Sequence, residues 1–176
     1  MGLVIVALTA SVRGYDALPD PVGWLLVVLG LRALRGAVPG WRWLAGLAVL
    51  AGVVSVVLWF PASQDLLDRL DPSLRWTANL PQLGFVVLLC HRLADLARDR
   101  GDAAAARWLR GAEVLAVVVA VLPVLVFGGG LTTLEETSYV MAGAGLLLVI
   151  WLLFAYARRS WATATATAPG PAVTEP

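Results

Sequence analysis

Long apolar stretches separated by short polar turns organise this chain from end to end. The clearest are Trp41–Phe60, about Leu80–Ala97, about Trp108–Phe127 and about Ser138–Ala157. An α-helix needs roughly 20 apolar residues, or about 17–25, to cross the hydrocarbon of a bilayer. Two shorter stretches come first: Gly2–Leu18, with Arg13 and Asp16 in its last turns, and Pro21–Leu34 after the Leu18-Pro19-Asp20-Pro21 break. None shows the alternation of a barrel strand, and lipid admits only helices or closed barrels. The pattern predicts an all-α fold: a polytopic transmembrane helical bundle of six helices arranged as three hairpins over residues 1–160, then a disordered cytoplasmic tail over 161–176. Two full spans are expected before Trp41, because Arg13 can snorkel to the interface. The alternative is a re-entrant hairpin, since Gly2–Val12 alone would reach only about 16 Å.

Punctuation between the stretches supports this division. Asp20 before Pro21 reads as an N-cap with proline at the first helical position, where its missing N–H costs nothing. Asn79 with Gln82 resembles a capping pair at the start of the fourth helix, and Thr133 with Glu136 a capping box opening the sixth. Gly101 followed by Asp102 predicts a C′ glycine running directly into an N-cap, a very tight turn. Ser63–Leu70 has the apolar and charged faces of a short helix lying on the membrane surface. Leu18-Pro19 with Gly23-Trp24, and Leu80-Pro81 with Gly84-Phe85, hint at an internal repeat of hairpins; the same residues also favour membrane interfaces in general.

Composition sharpens the picture. Of 176 residues, 60% are hydrophobic and 14% charged, with a mean hydropathy of +0.82; soluble domains run nearer half apolar and a quarter charged. A water-soluble core of this size could not hide so much apolar surface. The net charge of +1 argues neither for nor against nucleic acid; none is expected, because the Arg92–Arg110 stretch is mixed in sign and lacks a groove-reading motif. All thirteen basic residues are arginine, and the Ala-, Val-, Leu- and Gly-rich composition suggests a bacterial source. No basic residue precedes the first apolar stretch and no cleavage site follows cleanly, so the first helix is expected to be retained.

Arginine placement predicts orientation. Ten of the thirteen fall in three places: Arg32, Arg35 and Arg42; Arg92, Arg98, Arg100, Arg107 and Arg110; and Arg158 with Arg159. Six spans put all three places on one side, which the positive-inside rule makes cytoplasmic. The expected location is the cell (inner) membrane, multi-pass, with both termini cytoplasmic. The mixed Arg92–Arg110 stretch reads as a solvated helical extension, with anionic lipid contact at its arginines worth about 1 kcal/mol each.

Candidate chemistry is sparse. Charges at membrane depth mark function more often than surface charges do, which singles out Arg13, Asp16 and Asp20 around the Pro19–Pro21 turn. Paired with each other at the interface, they would simply cap the second helix. Glu113 is the one acid well inside a predicted span, and Arg110 at i, i+3 is its simplest partner. Cys90 and His91 point about 100° apart on a helix, which suits packing for the thiol. One Cys and one His cannot fill a structural zinc site, and no cofactor or catalytic set is expected. Small residues, such as Ala48 with Gly52 and Gly23 with Gly30, let helices approach closely, within the chain, in a homo-oligomer or against a membrane protein partner.

The segment Asp16-Ala17-Leu18-Pro19-Asp20-Pro21-Val22-Gly23-Trp24 resembles that of small uncharacterised bacterial multi-pass membrane proteins carrying Asp-x-Leu-Pro-Asp-x-x-Gly-aromatic. The resemblance covers about twenty residues and implies a small multi-span layout, with no activity attached. Pro21 stands where that pattern has a bulky apolar residue. The expected role is non-enzymatic: binding a partner or organising the envelope. The alternative is a small transporter or channel using the Arg13, Asp16 and Asp20 turn or Glu113.

Overall fold

The computed structural model describes residues 2–7, 11–12, 15–16, 20–33, 35, 38, 40–60, 63, 72–129, 135–157 and 159. Among them the fold is all-helical, with six helices: α1 (Gly2–Ala7), α2 (Asp20–Ala33), α3 (Trp41–Leu58), α4 (Pro72–Asp99), α5 (Ala103–Gly129) and α6 (Glu135–Tyr156). A two-residue ladder, β1 (Ser11–Val12) with β2 (Tyr15–Asp16), pairs Ser11 with Asp16 and Val12 with Tyr15. In chain order each helix packs on the next, and α1 returns to touch α6, so the helices close a ring. Two of them, α3 over Trp41–Leu58 and α4 over Thr77–Asp99, are long and apolar enough to cross a membrane.

The apolar stretches locate α2, α3, α5 and α6 to within a few residues. Two expectations change. The first stretch is not one helix: α1 ends at Ala7, and the chain then pairs with itself through β1 and β2. Six residues rise only about 9 Å, so α1 does not cross hydrocarbon by itself. The fourth helix begins at Pro72, not near Leu80, and carries Pro81 inside it. Asn79 and Gln82 are therefore interior helical residues and not a cap. The polar residues between Pro72 and Asn79 interrupt the apolar stretch without interrupting the helix, so the stretch marks only its later part. The Thr133 cap, most of the Ser63–Leu70 segment and the 161–176 tail lie outside the described residues.

The α4–α5 turn follows its sequence signals closely. Gly101 has φ 81°, a left-handed conformation that glycine adopts without a Cβ clash. The Asp102 N–H donates to the Ala97 carbonyl at 2.8 Å, and the Gly101 N–H to Arg98 at 3.0 Å, the paired bonds of a Schellman C-cap. Asp102 then opens α5: its carbonyl accepts from the Ala106 N–H at 3.0 Å, and its Oδ1 accepts from the Ala105 N–H at 3.0 Å. One residue thus ends one helix and caps the next.

Packing explains the rest of the ring. On α5 the buried residues Ala105, Leu109, Ala112, Ala116 and Val119 recur every three or four positions, as do Val86, Cys90, Ala94 and Ala97 on α4. That spacing gives each helix one buried stripe, and the alanines let the two axes approach closely. Across the ring, Trp24 of α2 is 1% exposed and meets Phe85 of α4 edge to face, with ring centroids 5.4 Å apart. Gly52 of α3 makes room for it: a Cβ there would lie 3.2 Å from the Trp24 Cβ. The two aromatics of the suspected repeat therefore touch each other.

Candidate functional site

Chemistry among the described residues concentrates on the α4–α5 seam. His91 and Asp95 stand one turn apart on α4, and Arg110 and Glu113 one turn apart on α5. The Gly101–Asp102 turn folds the two helices back on each other, so residues about ten positions before it meet residues about ten after it. All four side chains join in a closed cycle. Glu113 Oε2 accepts from Arg110 Nη1 at 2.7 Å, and Asp95 Oδ1 accepts from Arg110 Nη2 at 2.6 Å. On the other side, His91 Nδ1 lies 2.9 Å from Glu113 Oε1, and His91 Nε2 lies 3.4 Å from Asp95 Oδ2.

This arrangement has a built-in competition. Arg110 Nη1 also lies within hydrogen-bonding reach of His91 Nδ1. A proton on Nδ1 serves Glu113, whereas a bare Nδ1 accepts from Arg110, and one nitrogen cannot do both. A doubly protonated imidazole would donate to both carboxylates and make the cluster neutral. Burial is graded: the Glu113 side chain is 17% exposed, that of Arg110 30%, and those of His91 and Asp95 40% and 41%. Charge-assisted bonds such as these exceed neutral ones in strength, and the two Arg110 bonds use the guanidinium as a fork that lysine could not reproduce.

Of the four predicted site residues, the structure places Glu113 here, with Arg110 as the i, i+3 partner. Arg13 lies outside the described residues. Asp16 contributes the end of β2 and Asp20 the first residue of α2; their side chains also lie outside what is described. Sequence reasoning missed His91 and Asp95 as partners of Glu113, although the i, i+4 pair on one helix and the i, i+3 pair on the next, counted outward from Gly101, carried the signal. Cys90, next to His91, is buried in the core, where packing was expected. Among the described residues no group of three His, Cys, Asp or Glu is arranged to hold a metal ion; Arg110 supplies the positive charge between the two carboxylates.

The basic segments converge at this end of the ring. The Arg92 guanidinium lies against the α2–α3 connection, where a Cβ on Gly40 would come 3.2 Å from Arg92 Nη2. Arg159, beyond α6, reaches Asp102 in the α4–α5 turn at 3.9 Å and stands over the Tyr156 ring at 6.0 Å. Arg35 stacks over Trp41 at 4.4 Å. Within the ring lies a cavity of about 470 Å³, lined by apolar side chains of α1, α2, α4, α5 and α6.

No family model matches this chain, and no curated protein or solved structure is significantly similar to it.

Proposed function

We propose that this chain is a multi-pass protein of the bacterial cell membrane, with both ends cytoplasmic, whose role is to bind a membrane partner and not to catalyse a reaction. The observation that carries the reading is an inverted surface. From Trp43 to Leu58, α3 has no charged residue, yet only 17% of its Trp41–Leu58 window is buried. Val49, Leu50, Val53, Val56 and Val57 are exposed on it, as are Val114, Val117 and Val121 on α5 and Leu147, Trp151 and Phe154 on α6. A helix in the core of a soluble protein would hide such residues. A continuous apolar exterior of this kind suits lipid or a lipid-embedded partner. The short α1, the β1–β2 ladder and α2 then form a partly inserted hairpin, with the later helices spanning. The resemblance of Asp16–Trp24 to small bacterial membrane proteins points the same way.

Cysteine accessibility tests this reading. In a Cys90→Ala background, single cysteines at Ser63 and Thr133 are expected to react with a membrane-impermeant maleimide added to intact cells, and one at Ala162 only after lysis. Labelling of the Ala162 position from outside would overturn the cytoplasmic C-terminus.

The transporter reading draws on Glu113 lying in a helix seam. Both its oxygens are held by His91 and Arg110, and the apolar cavity is lined by other residues. A closed charge cycle, with an apolar cavity lined by other residues, favours a binding role over a wet pathway.

A further inference from the structure

We propose that the central cavity holds an acyl chain of an anionic phospholipid, with the lipid phosphate among the arginines at the basic end of the ring. This rests on the membrane reading above and specifies the partner. The cavity, about 470 Å³ and open to the outside past the exposed Leu26, Gly30 and Phe154, falls within the range of small-ligand sites, about 300–1,000 Å³. Its walls are apolar, including Leu26, Leu31, Leu96, Leu109 and Leu153, which excludes a charged metabolite and suits a hydrocarbon chain.

Position supplies the charge complementarity. The lining comes from the later turns of α2, α4 and α6 and an early turn of α5, the end where the basic segments gather. Leu31 adjoins Arg32, Leu93 adjoins Arg92, and Ala157 stands two residues before Arg159. Arg92 is half-buried, and its Nε has no hydrogen-bond partner among the described residues. That Nε is shielded from a headgroup, so a phosphate would meet the terminal nitrogens of the guanidinium, whose fork its oxygens match. A lipid without phosphate would fill the cavity but leave Arg92 as it is, and in phosphatidylcholine the choline cation offsets the phosphate charge that Arg92 would meet.

Gly30 gives a means of testing the cavity, since it lines the wall and a Cβ added there meets nothing within 4 Å. The full-length protein, delipidated in detergent, is incubated with vesicles of equal phosphatidylglycerol and phosphatidylcholine bearing matched chains. It is then re-isolated, and its bound lipid is measured by native mass spectrometry. Wild type is expected to retain phosphatidylglycerol about fivefold over phosphatidylcholine, the ratio one well-placed arginine provides. Arg92→Gln should bring that ratio to about one, while Gly30→Phe should lower retention of both lipids severalfold and Gly30→Ala leave it unchanged. Circular dichroism verifies the helicity of each variant, and Leu96→Trp replaces Gly30→Phe if the latter does not fold. Equal retention of the two lipids by wild type would overturn the proposal, as would undiminished retention by a folded cavity-filling variant. Flotation of the protein with the vesicles is scored separately: failure to float sinks the membrane reading itself.

Discussion

Helix α4 takes part in two seams of opposite character. Towards α2 and α3 it offers Phe85 to Trp24, a contact made by shape alone, with Gly52 cut away to admit the indole. Towards α5 it offers His91 and Asp95 to Arg110 and Glu113, a contact made by charge. In water the first seam would gain from the hydrophobic effect. In lipid that gain vanishes, and only dispersion and fit remain. The second seam gains in lipid, where an unpaired charge has no alternative partner. The two seams therefore respond in opposite ways to whatever surrounds them.

The largest effect is expected from Trp24→Ala, which empties the space between α2, α3 and α4. A loss of about 3 kcal/mol follows from large-to-small changes in packed cores, read as a lower midpoint in detergent thermal unfolding. Next is Glu113→Ala, which leaves Asp95 as the one carboxylate of the cycle against Arg110 and His91. About 2 kcal/mol is expected for a half-buried charge partner, whereas Glu113→Gln should recover part of it. Equal midpoints for the two Glu113 variants would show that the seam is held by volume and not by charge. Gly52→Ala should cost about 1 kcal/mol, because its methyl group presses on Trp24 at a tight distance. Combined with Trp24→Gly, which removes the Cβ that the methyl group meets, it should cost nothing further, a double-mutant cycle that isolates this contact. Arg110→Lys, which keeps the charge but loses the fork, should cost about 1 kcal/mol or less. Raising salt should be the weakest perturbation, shifting wild type slightly and Glu113→Ala less, since Asp95 still pairs with Arg110.

The two seams were not equally legible in the sequence. Apolar runs and turn signals located α2, α3, α5 and α6, and Gly101-Asp102 announced its own geometry, because both are local. The start of α4 was misplaced because its first turns are polar, and Asn79 with Gln82 has the spacing of a capping pair while lying inside the helix. The first helix was overestimated because an apolar stretch broken by Arg13 and Asp16 does not say whether it continues as helix or folds back through β1 and β2. Trp24 against Phe85 is a long-range contact that the weak repeat only hinted at. The charge cycle was half visible: Arg110 with Glu113 is a helical neighbour pair, but bringing in His91 and Asp95 needed the registry that the tight turn sets.

That turn also bears on how the chain is assembled. With Asp102 serving both helices, there is no slack between α4 and α5, so neither can be threaded and parked while the other waits. Alone, α4 would carry Asp95 towards lipid, and α5 would carry Arg110 and Glu113. Folded together, they cancel most of that charge before any of it leaves water. On the proposed membrane reading, the pair is expected to be delivered to the bilayer as one cargo, and inserting a flexible stretch after Gly101 should delay its insertion even if the finished structure is unchanged.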